Sequence, residues 1–218
     1  MEFTGERVVP DKTPHEIYRE HIDRYIFAAD FVRNKDILDV ACGTGYGVEH
    51  LAKLGTKITI GADISIESVL YANEKFGSKE GKSFVCADGI SLPFADETFD
   101  IVISFETLEH IRQYNRFLIE CRRVLREDGL FICSTPNKRI FSPNEAKPPN
   151  SFHVKEFWSE EFYNLLQQYY MDITLYGQCD VTLADNQVER EYGVHNFIDN
   201  EQISPAYIIA VANNKSCA

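Results

Sequence analysis

The chain has 218 residues, 44% of them apolar and 26% charged, with a formal net charge of −12. That length and balance fit one soluble domain with a sizeable core and set aside disordered and fibrous classes. No apolar run nears the roughly 20 residues of a membrane-spanning helix, the first thirty residues hold acids and a proline where a signal peptide would be apolar, and an acidic chain makes a poor nucleic-acid binder.

Six cysteines, at positions 42, 86, 121, 133, 179 and 217, form no CxxC pair. They predict reduced thiols in a cytoplasmic protein, and spacings this wide offer no zinc site, so no metal is expected. The densest basic patch, Arg122, Arg123 and Arg126, falls late in a predicted helix, where cations complement the dipole, and reads as a solvated helix end rather than an RNA contact.

In chain order, residues 1–12 read as an extended arm, and Thr13-Pro14-His15-Glu16 reads as a capping box opening a helix over about 14–33. Tyr18, His21, Ile22, Tyr25 and Ala29 share one face of that helix. A domain boundary is placed at residue 35, with an arm and capping helix before it and an α/β domain over 36–218. Ile37-Leu38-Asp39-Val40 is a short apolar run carrying one acid. It breaks into Gly43, Gly45 and Gly47, and an amphipathic segment follows: a buried strand, a tight turn, then a helix. The glycines suit backbone at positive φ or in close approach to a ligand, and a turn of bare amides at a helix start suits an anionic one. Asp39 is costly to bury without a hydrogen-bond partner. A dinucleotide fingerprint would put its third glycine where this chain has Val48.

Lys57–Asp63 is the second strand, and Asp63 stands twenty residues past Gly43, where α/β nucleotide folds place a carboxylate on ribose hydroxyls. Ser65 caps a helix that runs to Phe76 and stops at Gly77. Ser83–Cys86 is the third strand, followed by Ala87-Asp88-Gly89. Asp100–Phe105 is the fourth, with Asp96 and Asp100 structural, and Leu130–Thr135 the fifth. Residues 136–158, with four prolines, read as a long loop of functional type. A helix over 159–170 and a strand over 171–176 come next. Residues 178–202 are too polar for a core element, and 206–212 are the last strand. The sum is an α/β fold, a doubly wound, mostly parallel seven-stranded sheet with an antiparallel last strand; loops 136–158 and 178–202 lie on the substrate side.

Asp39-Val40-Ala41-Cys42-Gly43-Thr44-Gly45-Tyr46-Gly47 resembles the first motif of the class I S-adenosylmethionine-dependent methyltransferases, whose domain is Rossmann-like. The resemblance covers 36–135 most fully. It implies S-adenosyl-L-methionine as cofactor. Ala41, Gly43, Gly45 and Tyr46 would lie under its methionine part, with Asp39 helping to hold the amino group. Asp63 would hold the ribose, Ile64 would lie against the adenine, and Asp88 with Gly89 would bond it. Ser104 and Phe105 would fall near the sulfonium, and Tyr18, His21 or Tyr25 would roof the pocket. Thr4–Pro10 resembles a leader found in small members of the family associated with glycan or small-metabolite modification. Phe152–Phe157 resembles a segment often placed beside the acceptor.

The implied reaction is methyl transfer to a small-molecule acceptor, first a sugar or sugar nucleotide by O-methylation, with a quinone- or polyketide-like C- or N-acceptor as the alternative. An O-acceptor must lose a proton, and an imidazole suits that near neutral pH. The candidates are His153, His110 and Glu106, in that order. A nicotinamide oxidoreductase and a non-catalytic S-adenosylmethionine-binding protein are the competing readings, and a homodimer is left open.

Overall fold

The computed structural model describes residues 1–2, 7–77, 81–182, 190–200 and 202–215. Thr4, Gly5 and Glu6 of the leader, and Cys217, lie outside the described residues. The elements are α1 (His15–Ala28), β1 (Asp36–Val40), α2 (Tyr46–Ala52), β2 (Ile58–Asp63), α3 (Ile66–Phe76), β3 (Lys82–Cys86), β4 (Phe99–Ser104), a 3₁₀ turn Leu108–His110, α4 (Tyr114–Val124), β5 (Leu125–Pro136), α5 (Lys138–Phe141), α6 (Ser159–Leu166), β6 (Met171–Thr182), β7 (Arg190–Asn196) and β8 (Ile203–Asn213).

One sheet has the order β3-β2-β1-β4-β5-β8-β6-β7. The strands from β1 to β5 pair in parallel, and β8 enters antiparallel between β5 and β6. All five residues of β1 are buried. Leu38 and Val40 join Val102, Phe117 and Phe131 on one face, while Ile37 joins Tyr25, Leu51 and Ile101 on the other. A strand covered on both faces has no solvent side to fill with polar residues, hence its near-continuous apolar run.

Among the described residues the sheet has eight strands, not seven. The additional one, β7, comes from the 178–202 segment and pairs antiparallel with β6, Gly177 against His195 and Gln178 against Val194. Being an edge strand, it is held by main-chain hydrogen bonds on one side and needs little apolar sequence. Smaller corrections concern element ends. Thr13 does not cap α1. Its hydroxyl donates to the Val9 carbonyl (3.0 Å) and accepts from the Val9 amide (2.9 Å), closing a turn of the arm. Helix α1 stops at Ala28, and Asn34 at φ 58° turns the chain into β1. Ser65 caps α3 as expected, accepting from the Ser68 amide.

The arm docks rather than trails. Val8 and Val9 are buried, and the Thr44 hydroxyl of the glycine turn donates to the Val8 carbonyl at 2.8 Å. The basic patch is occupied internally: Arg123 bonds Glu120, Asp96 and the carbonyls of Leu92 and Phe94, and Arg126 pairs with Asp36 and Asp100. Cys42, Cys121, Cys133 and Cys179 are buried free thiols, and Cys86 is an exposed one. Among the described residues, no helix is long and apolar enough to cross a membrane.

Gly47, one residue into α2, shows how closely α1 is packed. A Cβ there would lie 2.0 Å from Cζ of Tyr25, a buried ring tied to Asp39 by its hydroxyl. Gly47→Val should therefore destabilise the fold by roughly 1–3 kcal/mol, as overpacking does. A denaturant midpoint unchanged from the wild type would show that α1 can move away freely.

Candidate functional site

Strand order reverses between β1 and β4, and the crevice beyond their carboxyl ends is where open α/β sheets bind ligands. A cavity of ≈ 320 Å³ opens there. Its floor is the turn after β1, where Ala41 (φ 62°), Gly43 (φ 55°) and Gly45 (φ 81°) all lie in the left-handed region. Among the described residues, its chain neighbours aside, nothing stands within 4 Å of where a Gly43 Cβ would be, which leaves that face room for a ligand. Gly45 faces inward instead, where a Cβ would meet the Phe84 ring at 2.6 Å.

Helix α1 forms the roof, with Ile17, Glu20, His21 and Tyr25. The Tyr25 hydroxyl donates to Oδ2 of the fully buried Asp39 at 3.0 Å, giving that acid the partner its burial requires. Burial pushes the Asp39 carboxyl up to about 7; the Tyr25 hydrogen bond works against the rise and the Asp63 charge adds to it. The Tyr25 ring stands edge-on to Phe105 (5.1 Å) and Tyr46 (5.7 Å), and Tyr18 packs on the far side of Tyr46. The Tyr46 hydroxyl is hydrogen-bonded to His21 Nδ1 at 3.2 Å. Burial and the nearby Arg24 push His21 well down, which keeps it neutral.

Asp63 ends β2 and binds two amides, Gly43 N to Oδ2 and Ser65 N to Oδ1, each at 2.8 Å. It thereby ties the glycine turn to the start of α3. Ile64 beside it is 70% exposed, a large apolar side chain left uncovered at the rim. Asp88 is exposed at the end of β3 and accepts from Ile90 N, and Gly89 gives way to the Phe117 ring behind it. Ser104 is buried and donates to the Val40 carbonyl at 3.0 Å, joining β4 to β1 outside the cavity lining.

The opposite wall brings the three candidate proton acceptors together. Glu106, His110 and His153 all line the cavity. Glu106 (φ 50°) leaves β4 and accepts from the Ser134 hydroxyl at 2.6 Å. The His153 Nδ1–H donates to Glu156 Oε1 at 2.7 Å, and the buried Glu156 is also held by the Ser142 hydroxyl. The His110 Nδ1–H donates to the Phe152 carbonyl at 3.0 Å. The two rings meet edge to face, centroids 4.9 Å apart. The 136–158 segment that carries His153 contains the short helix α5 and is fastened to the 3₁₀ turn through Val154 N and Lys155 N, both on the Glu109 carbonyl.

Several lining or flanking residues were not singled out from sequence. Glu109 is fully buried, and burial together with the Glu106 charge pushes its carboxyl well up. Its adjacency to His110 was the available signal. Arg24 is fully buried, donates to Gln178 Oε1 (2.6 Å), and stands 4.0 Å from Glu106 and 4.9 Å from the Tyr207 ring centroid. Tyr207 in turn donates to Glu20 at 3.1 Å. Those partners are 154 and 187 residues apart in sequence, beyond the reach of any local pattern.

Residues 38–133 match the family described as a methyltransferase domain. A Mycobacterium tuberculosis protein named as a probable S-adenosylmethionine-dependent methyltransferase is 32% identical over 179 residues, covering 81% of this chain and 64% of that protein. A ubiquinone biosynthesis O-methyltransferase of Roseobacter denitrificans is 29% identical over 164 residues, covering 69% and 65%. An S-adenosylmethionine-dependent methyltransferase of Thermotoga maritima has the same fold, with a TM-score of 0.65 at 18% identity and 91% of each chain covered. With the glycine turn at the switch point and the antiparallel close of the sheet, these findings show a methyltransferase domain over residues 38–133 on a class I methyltransferase fold, similar to proteins whose cofactor is S-adenosyl-L-methionine. The chain spans 64% of the length of the mycobacterial relative.

Proposed function

We propose that the protein transfers the methyl group of S-adenosylmethionine to a hydroxyl of a small molecule, a sugar or sugar nucleotide first. The observation that carries this is the convergence of Glu106, His110 and His153 on the cavity wall facing the glycine turn. The methionine part of the cofactor would lie over Ala41–Gly43 under Tyr25 and Tyr46, with its ammonium toward Asp39. Asp63 would take the ribose, and Ile64 and Asp88 the adenine. The sulfonium methyl would then face the wall where the acceptor sits. The sulfonium is already electrophilic, so the protein's main task is alignment at about 3–3.5 Å and activation of the hydroxyl. The hydroxyl oxygen bonds the methyl carbon as the carbon–sulfur bond breaks, its electron pair passes to sulfur, and the hydroxyl proton passes to Nε2 of His153.

A phenolic hydroxyl on a quinone-like ring is the second reading. Phe105, Phe141 and Tyr207 give the cavity aromatic faces, and one relative is named as a ubiquinone biosynthesis O-methyltransferase. Incubation with S-adenosylmethionine and panels of sugar nucleotides, glycosides and polyhydroxylated aromatics, read by mass spectrometry for the gain of one CH₂, tests both. Cofactor binding with no methylated product from any panel would point to a non-catalytic binder. Buried free thiols support a reducing, cytoplasmic setting.

Asp39 adds a pH dependence. A cofactor ammonium pairs with the ionised carboxylate, so apparent affinity should rise about tenfold per pH unit below about pH 7 and level off above it. The stability linkage has the opposite sense. The folded value lies above the unfolded 3.8, so the contribution is full below that value and lost as pH rises through about 7. Calorimetric titrations across this range, repeated with Asp39→Asn, check it; a flat profile in the wild type would remove Asp39 from the ammonium site.

A further inference from the structure

We propose that Glu109, His110 and His153 hold a divalent first-row metal ion at the acceptor end of the cavity. Each of the three offers one ligand atom, and these atoms lie within 4.8 Å of one another. A zinc ion with bonds of about 2.0–2.2 Å would draw tetrahedral ligand atoms to roughly 3.3 Å apart, which side-chain rotation alone can supply.

Three observations point to a ligand there. Glu109 Oε1 is buried and has no hydrogen-bond partner, while its other oxygen accepts from the Thr135 hydroxyl at 3.1 Å. An orphaned carboxylate oxygen is costly, and it faces His110 Nε2 at 3.9 Å. Both imidazoles, moreover, are arranged as metal-binding histidines usually are. Each gives its Nδ1–H to an oxygen, the Phe152 carbonyl for His110 and the Glu156 carboxylate for His153, which fixes the tautomer whose Nε2 carries no proton. His153 Nε2 accepts from the Asn150 amide at 3.0 Å in this structure, a place the ion would take when that side chain turns aside. Finally, the three come from two rigidly joined pieces, since the Glu109 carbonyl binds the amides of Val154 and Lys155.

Two imidazole nitrogens and one carboxylate oxygen form a borderline donor set, suited to Zn²⁺, Fe²⁺, Co²⁺ or Mn²⁺, and leave coordination positions open toward the cavity. An acceptor hydroxyl bound at an open position would be acidified, losing its proton to water, and its oxygen would be held for attack on the methyl carbon. In this respect the inference rests on the O-methylation reading and replaces proton abstraction by His153 with coordination through it.

The test is titration of the purified protein, without acceptor, with Zn²⁺ and separately with Mn²⁺, followed by calorimetry. One site per chain is expected, weakened at least about tenfold in Glu109→Gln, His110→Ala and His153→Ala. His15→Ala, on the exposed first turn of α1, should bind as the wild type does. Each variant is first shown to bind S-adenosylmethionine with unchanged affinity; His153→Gln stands in if Glu109→Gln does not fold. No stoichiometric binding, or binding untouched by all the ligand variants, overturns the site. Cofactor binding and methyl transfer without metal binding would overturn it while leaving the O-methylation reading. Metal binding lost in the variants, with no hydroxyl acceptor ever methylated, would keep the site and sink that reading.

Discussion

Asp63→Ala should weaken S-adenosylmethionine by at least about 10²-fold. Hydrogen bonds to a charged acceptor contribute about 1.5–3 kcal/mol each, two ribose bonds would be lost, and each 1.4 kcal/mol is a factor of ten. The carboxylate already accepts the Gly43 and Ser65 amides, one on each oxygen, and each oxygen keeps a second lone pair for a ribose hydroxyl. The substitution would therefore remove the proposed ligand contact and also release the turn that carries Gly43. Asp63→Asn separates the two effects. Its amide oxygen can keep one backbone bond, whereas its amide nitrogen cannot accept, so an intermediate loss is expected. S-adenosylhomocysteine, which has the same ribose, should lose as much. Calorimetry giving the wild-type dissociation constant for Asp63→Ala would detach the ribose from β2.

The parts of the fold legible in sequence are those where burial leaves a local mark. β1 reads as a continuous apolar run because it is covered on both faces, and the turn after it reads as glycine because Gly43 and Gly45 sit at positive φ. Ser65 could be placed as a cap because capping is a contact between residues three apart. β7 could not be read, since an edge strand is held by the main chain of β6 and demands no apolar period. The capping box at Thr13 failed for a related reason. The same hydroxyl had a second partner, the Val9 backbone, that only the folded arm provides.

The site divides the same way. The glycine turn and Asp63 are one strand–turn–helix apart and carry a spacing. The acceptor wall carries none, because the segment after β4 and the segment after β5 meet only when β4 and β5 pair side by side. Glu109 and His110 stand more than forty residues from His153, so a search for closely spaced ligands passes over them. The absence of a CxxC pair excluded one kind of metal site and said nothing about a cluster assembled by topology.

His153→Ala should lower kcat by roughly 10²–10⁴ while S-adenosylmethionine binds as before. The geometry separates those two quantities. His153 lines the cavity from the 136–158 segment, and its ring nitrogens bond Asn150 and Glu156 of that same segment. Its ring is fixed by Glu156, itself buried and bound by the Ser142 hydroxyl, so once the Asn150 amide turns aside Nε2 would meet the acceptor without reordering of the ring. Glu156→Gln, which keeps the shape but weakens that hold, should cost a smaller factor, about 10–100, the size of effect expected from an orienting partner. If His153 only hydrogen-bonds the bound acceptor, KM should rise with kcat little changed, because such a contact is equal in the ground and transition states. Wild-type kcat and KM in His153→Ala would remove the residue from the reaction and pass its role to His110 or Glu106, the other two groups on that wall.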